Sequence, residues 1–309
     1  MKRFICVLCS FIIFLSIWGS ENSGIEKLNN EFDKCPRCYH FSEQFAIARG
    51  DDFIIIKDWF NHDAIVKLYF NDIKTDDYGF RYFLFDRQKV LIIGGSIFFC
   101  TFGYSDASKQ TYPFGAMMYE KVPKDFNKFL RQILRFIPDA KESTNYIPLF
   151  SIAKIKTSSY YTEALKNGTK ISYKAQYLNM IFHFCDIDTT HFLLRNPWVP
   201  GKKSNPAGIG ESLTIEFAEP KDNIVVLNGY VDLEKRYLYK ANNRVKTAVV
   251  TALDESNPFE FEYRFEDFVH FAEIDFPAKV SKVSFTIKDV YNGEKWNDTC
   301  VTAVITRRD

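Results

Sequence analysis

Between Asp289 and Cys300 the chain reads Asp289-Val290-Tyr291-Asn292-Gly293-Glu294-Lys295-Trp296-Asn297-Asp298-Thr299-Cys300, a dense run of carboxylates, amides and rings set between two alternating apolar stretches. A polyhydroxylated ring presents hydroxyl pairs and an apolar C–H face, so a site for one needs hydrogen-bonding groups beside an aromatic ring. Asp289, Tyr291, Trp296, Asn297 and Asp298 supply all of these within one loop, with Trp296 the first choice for direct contact. Arg244 and Lys246 alternate along an apolar run, and Asn228, Tyr230 and Asn242 stand near the ends of such runs, so Arg244, Asn228 and Tyr230 join the candidate ligand-binding set. Each has a structural alternative. Asn292-Gly293 fits a hairpin turn, Asp298 and Thr299 fit acceptors for loop amides, Trp296 fits a cover over a sheet end, and Arg244 fits an internal ion pair with Asp289 or Glu211.

Other chemistries find less support. Cys35-Pro36-Arg37-Cys38 has redox spacing, but a CxxC thiol is activated when it opens a helix behind a buried strand, and Glu26 to Lys34 is polar. A local Cys35–Cys38 disulfide is the simpler expectation. His40 lies close by, yet a structural zinc needs four ligands and no second CxxC or spaced histidine pair exists. His183 and His191 straddle Cys185 and Asp188 only loosely. Gly208-Ile209-Gly210 lacks the third glycine of a dinucleotide fingerprint. No GxSxG, HExxH or ordered triad is present, so no catalytic residue, metal or cofactor is assigned.

Forty basic against 39 acidic residues leave no charge excess for a phosphate backbone or an anionic bilayer, which argues against nucleic acid and leaves at most peripheral membrane contact. Lys2-Arg3 followed by apolar Phe4 to Trp18 and then Gly19-Ser20-Glu21-Asn22-Ser23-Gly24 reads as an export signal over residues 1–24, with a retained anchor as the alternative. The expected location is periplasmic, cell-surface or secreted. Beyond the signal, Cys35, Cys38, Cys100, Cys185 and Cys300 form an odd set, so at least one stays unpaired or all are reduced.

The elements that must hold these residues differ between two halves. Over 25–148, apolar runs at Phe53 to Ile56, Ala64 to Phe70, Phe80 to Phe85, Lys89 to Ile93 and Ser96 to Phe102 predict successive antiparallel strands, with a turn at Asp76-Asp77-Tyr78-Gly79. Between Pro123 and Pro138, Phe126, Phe129, Leu130, Ile133, Leu134 and Ile137 share one face of an amphipathic helix, making this half α+β. The polar stretch Pro138 to Pro148 marks the boundary. Over 150–309, two-residue periodicity in eight runs, among them Leu213 to Phe217, Asn223 to Gly229, Val269 to Phe276 and Val283 to Lys288, predicts a jelly-roll β-sandwich. The fold class expected is therefore mainly β: a C-terminal sandwich preceded by an α+β domain.

Within that half, Trp198-Val199-Pro200-Gly201, Gly208-Ile209-Gly210-Glu211, Leu227-Asn228-Gly229-Tyr230, Leu238-Tyr239 with Asn242-Asn243-Arg244-Val245-Lys246, and Asp289-Val290-Tyr291-Asn292-Gly293 with Lys295 and Asp298-Thr299-Cys300 follow one another in a fixed order. In this the chain resembles the discoidin-like, galactose-binding-like glycan-binding domain first named from secreted streptococcal NAD glycohydrolase, where it serves translocation rather than NAD cleavage. The resemblance implies an exported bacterial module that binds carbohydrate or a cell-surface component. It departs from the family pattern at Pro200, where an acid is usual, and at Thr302-Ala303, where Ser-Glu is common. The leading expectation is a non-enzymatic binding protein. Two others stand beside it: an enzyme whose catalytic centre lies in residues 25 to 150, and an interaction module for another envelope protein.

Overall fold

The computed structural model describes residues 24–35, 37–40, 45–50, 52–58, 64–85, 88–94, 99–105, 110–113, 152–179, 182–184, 190–192, 194, 196–201 and 207–306. Residues 1–23 of the export signal expected at 1–24, the helix expected at 123–138 and the boundary expected at 138–148 lie outside them. By its contacts the chain divides into two compact units, 1–73 and 74–309.

In the first unit a helix α1 over residues 24–34 precedes a four-stranded antiparallel meander of β1 (Arg37–His40), β2 (Phe45–Arg49), β3 (Phe53–Asp58) and β4 (Ala64–Tyr69). The helix was not anticipated, although Leu28 and Phe32 are four residues apart and place two apolar side chains on one helical face. Phe32 is buried with Ala48 and Ile55. Lys67 of β4 pairs with Glu31 of the helix and lies 3.8 Å above the Phe53 ring. The Cys35–Cys38 pairing turns on a Cys38 side chain outside the described set.

The second unit opens with an antiparallel meander of β5 (Lys74–Thr75), β6 (Arg81–Phe85), β7 (Gln88–Gly94), β8 (Phe99–Ser105) and β9 (Gln110–Pro113). The expected turn at Asp76 to Gly79 forms, closed by the Gly79 amide on the Asp76 carbonyl at 3.0 Å. Two short hairpins follow the first strand of the sandwich, β10 (Ile152–Thr157): β11 (Thr162–Ala164) with β12 (Lys170–Ser172), and β13 (Phe182–Phe184) with β14 (Thr190–Phe192). His183 and His191 are opposite one another in the second.

The C-terminal part is a jelly-roll β-sandwich formed by one continuous sheet that folds over a shared core. Its strands are β10, β15 (Ser212–Asn228), β16 (Asn243–Ala252), β17 (Glu260–Arg264), β18 (Phe271–Tyr291) and β19 (Thr299–Ile305). Eight expected runs become six strands because β15 and β18 each carry two. In β15 the core residues are Leu213, Ile215 and Phe217, then Ile224 and Val226, so the buried parity switches from odd to even. In β18 the switch runs the other way, from Ala272, Ile274, Phe276 and Val280 to Val283, Phe285 and Ile287. Register breaks between Glu216 and Lys221 and between Lys221 and Asn223 absorb the slip, since an extra residue in one strand moves every following side chain to the opposite face. Trp198, fully buried, exchanges backbone hydrogen bonds with Val301 and donates its indole N–H to the Ser159 carbonyl at 2.9 Å. Glu211 accepts from the hydroxyls of Ser158 and Ser159, fastening the Gly208–Gly210 turn to the end of β10.

Burial pushes the His270 imidazole below its ordinary value, while its Nδ1 meets the Phe268 carbonyl at 2.9 Å. The folded state therefore favours the neutral ring, so its contribution is complete above the unfolded value of about 6.5 and is lost as pH falls below it. Glu216 and Asp289, held low by lysine partners, and Asp254, held low by Ser256 and Ser281, act only in a more acidic range. Urea midpoints should fall in the wild-type chain as the pH drops below about 6.5, and His270→Gln should lack that step.

Candidate functional site

A cavity of about 560 Å³ opens at one end of the sandwich, inside the size range of clefts that take small organic ligands. One wall is the foot of the β11–β12 hairpin. Tyr161 and Tyr173 stand at its two ends with rings parallel within 11° and 6.1 Å apart. The Tyr173 amide donates to the Tyr161 carbonyl at 2.9 Å, and Val199 ties both to the Trp198 bridge. Tyr173 donates its hydroxyl to Glu163 at 3.1 Å, and burial, then this bond, raises its pKa far above the ordinary tyrosine value.

Tyr230 follows β15 on a turn clamped by Thr302, whose hydroxyl donates to the Gly229 carbonyl at 2.6 Å and accepts the Val231 amide at 2.9 Å. Burial, aided by Asp232, pushes the Tyr230 hydroxyl up to about 12. Both tyrosines stay protonated donors at any physiological pH.

The opposite wall comes from a single-turn helix α2 (Leu238–Ala241) and its flanks, which contribute Lys235, Tyr237, Leu238 and Asn242. Asp232 starts this segment by accepting the amides of Glu234 and Lys235. Trp296 and Asp298 close the site, with the Cys300 thiol buried at its base.

The 292–298 loop is not a hairpin, because β18 and β19 are not hydrogen-bonded to each other; β19 crosses to pair with β15 and β16. The loop hangs instead on the neighbouring segment. Amides of Lys295 and Trp296 donate to the Ala241 carbonyl at 3.1 and 2.8 Å, and the Gly293 amide donates to the Asn243 side chain at 2.6 Å. A Cβ on Gly293 would lie 2.6 Å from the Ala241 carbonyl oxygen, so only glycine allows this approach.

Of the eight residues singled out in the sequence, Trp296, Asp298 and Tyr230 meet on the cavity wall. The other five are engaged elsewhere. Arg244 is buried and pairs with neither Asp289 nor Glu211: its Nε and Nη2 form a fork on Asp267 at 2.9–3.0 Å, and Nη1 donates to the carbonyls of Asn242 and Asn292 at 2.9 and 3.1 Å. Asn228, also buried, exchanges two hydrogen bonds with the Val245 backbone at 2.7 and 3.0 Å. Tyr291 donates to the Phe265 carbonyl at 2.8 Å, Asp289 pairs with Lys246 at 2.7 Å, and Asn297 accepts from Asn243 at 2.6 Å.

Tyr161, Glu163, Tyr173 and Tyr237 were not anticipated. A signal for the first three exists, since Tyr161 and Tyr173 flank two short runs joined across Asn167-Gly168, which is a hairpin signature. Tyr237 had none, because a single helical turn leaves no periodicity to read. Among the described residues no group of histidine, cysteine or carboxylate side chains is arranged to hold a metal.

The sequence profile of the NAD glycohydrolase translocation F5/8 type C domain matches residues 153–307. None of the curated proteins is similar enough in sequence to match the chain. Among solved structures, the Streptococcus pyogenes NAD+-glycohydrolase translocation domain is 19% identical with a TM-score of 0.28, covering 38% of this chain and all of that one. A family 32 carbohydrate-binding module from C. perfringens NanJ, solved with galactose, is 10% identical with a TM-score of 0.33 over 50% of this chain and 91% of the module. SpGH29 is 11% identical with a TM-score of 0.32 over 52% of this chain, which spans only 27% of the SpGH29 chain.

Two substitutions test the frame that holds the cavity. Asp267→Ala leaves the Arg244 guanidinium buried without its carboxylate and should lower stability by about 3 kcal/mol, the low end for a broken buried pair because Asp267 keeps an edge in solvent. Tyr239→Phe deletes a buried hydroxyl that, among the described residues, has no hydrogen-bond partner in good geometry and only the Arg244 guanidinium near it, and should raise stability by about 1 kcal/mol or less. Chemical denaturation of the purified chain reads both, and a stabilised Asp267→Ala would contradict the clamp.

Proposed function

Because this chain belongs, over residues 153–307, to the NAD glycohydrolase translocation F5/8 type C domain family, we propose that it is an exported, non-enzymatic protein that binds carbohydrate, or a cell-surface component bearing it, in the cavity between Tyr173 and Trp296. The observation that carries the reading is the composition of that cavity: five aromatic rings, from Tyr161, Tyr173, Tyr230, Tyr237 and Trp296, beside the carboxylates of Glu163 and Asp298 and the amide of Asn242. Rings offer apolar faces for C–H groups, and the polar groups offer both acceptors and donors for vicinal hydroxyls. The donors do not titrate near neutrality, so uptake of an uncharged ligand needs no pH switch.

Export rests on the apolar run Phe4 to Trp18 behind Lys2-Arg3. The first unit has a cleft of its own, of about 650 Å³, lined by Glu26, Lys27, Asn30, Glu31, Lys34 and Lys67, in which Glu31 pairs with Lys67.

The test is a glycan-array screen of the full chain beside Trp296→Ala and Tyr173→Ala. Selective binding should fall about tenfold or more in either variant, as for aromatic anchors at the centre of a contact. Asp289→Ala, which alters a group off the cavity, should bind as the wild type does. A folded chain that retains no glycan on the array would sink the carbohydrate reading and leave a protein partner as the next target.

A further inference from the structure

The segment 235–242 has two faces. Lys235, Tyr237, Leu238 and Asn242 line the cavity, while Arg236, Tyr239 and Lys240 turn to other elements of the same unit. Arg236 forms an ion pair with Asp76 in the β5–β6 turn, and both side chains are nearly buried, at 6% and 10% exposure. The other oxygen of Asp76 accepts the amides of Tyr78 and Phe80 at 3.0 and 2.8 Å, which fixes the turn around Gly79, whose φ is +86°. The Gly79 carbonyl accepts the Val269 amide at 2.8 Å, and the buried Phe80 ring meets Tyr239 edge-on at 6.3 Å.

A helix of one turn has no stability of its own, because nucleation fixes several residues for each hydrogen bond gained. No side chain caps α2 at its N-terminus. Its position is therefore set by what packs on it. The position matters because the carbonyls of Lys240 and Ala241 carry the amides of Glu294, Lys295 and Trp296 at 3.0, 3.1 and 2.8 Å. A continuous chain of contacts thus runs from the β5–β6 turn through α2 to the tryptophan at the cavity mouth.

We propose that the β5–β9 sheet is part of the recognition machinery, with Asp76 a positioning residue that sets the place of Trp296 through Arg236 and α2. The sheet lies outside residues 153–307, so the family module by itself lacks this support. The structural half of the proposal stands without a ligand; its effect on affinity rests on the carbohydrate reading above.

The experiment is native-state hydrogen exchange on the full chain, comparing the wild type with Asp76→Asn. Asparagine keeps the oxygen that accepts from Tyr78 and Phe80 and removes the charge that holds Arg236. Amides of Glu294, Lys295 and Trp296 should exchange about tenfold faster, while Val225 and Val226 in β15 should be unchanged. Arg236→Lys keeps the charge but loses the planar guanidinium that lies over the Tyr78 ring, 5.6 Å from its centroid, and should accelerate the same amides by a smaller factor. Unchanged exchange at 294–296, or equal acceleration throughout the sandwich, overturns the proposal. Galactose titrated calorimetrically into the same proteins supplies the second readout, with about fivefold weaker binding expected for Asp76→Asn. A wild-type chain that takes up no galactose excludes that sugar as the ligand, and the exchange result still decides the positioning role.

Discussion

A guanidinium sealed inside the end of a β-sandwich is costly unless its N–H groups find acceptors, and Arg244 meets that requirement by collecting segments that have no other reason to meet. It forks onto Asp267, takes the Asn242 carbonyl at the end of α2, and takes the Asn292 carbonyl at the start of the loop that carries Trp296. Burial raises the strength of each bond and equally the cost of losing one. Three connections that would otherwise be free to choose their own paths are thereby held in one arrangement. Lys240 adds a second cation to Asp267 at 2.8 Å and draws the helical turn into the same cluster.

The cavity inherits its shape from this cluster on one side and from the β11–β12 foot on the other. Neither wall is built on a long regular element. The tyrosine pair is fixed by backbone bonds to Val199 beside the buried Trp198, and the Trp296 loop by amides on α2 carbonyls. Rigidity in the site is thus borrowed from the core through short relays. Lys246–Asp289 and Lys288–Glu262, by contrast, lie on the solvent face, where water and salt screen them and where they place no part of the cavity.

The sandwich was legible in the sequence because a half-buried strand must alternate, and the eight runs read there do. What was misjudged was the count. A parity switch inside β15 or β18 looks in sequence like the end of one strand and the start of another, and only pairing partners on both sides reveal a single bulged strand. Helix α1 went unread for the opposite reason, since its two buried-side residues are outnumbered by polar ones and packing on β-strands supplies the rest of its stability.

For the site, chemistry was legible and geometry was not. The chain announced Trp296, Asp298 and Tyr230 as recognition groups, and they do meet. Arg244, Asn228, Tyr291, Asp289 and Asn297 carry the same kinds of polar groups, yet the fold spends them on internal hydrogen bonds. Side-chain type and periodicity, which act over a few residues, determined the strands, the turn at Asp76 and the polar-aromatic character of the terminal loop. Which polar groups were left facing the cavity, and that Tyr161, Tyr173 and Tyr237 would join them, depended on pairings between residues 17 to 54 positions apart. Only the closed tertiary structure decides those, because a buried polar group takes the partner that the whole packing brings within hydrogen-bonding reach.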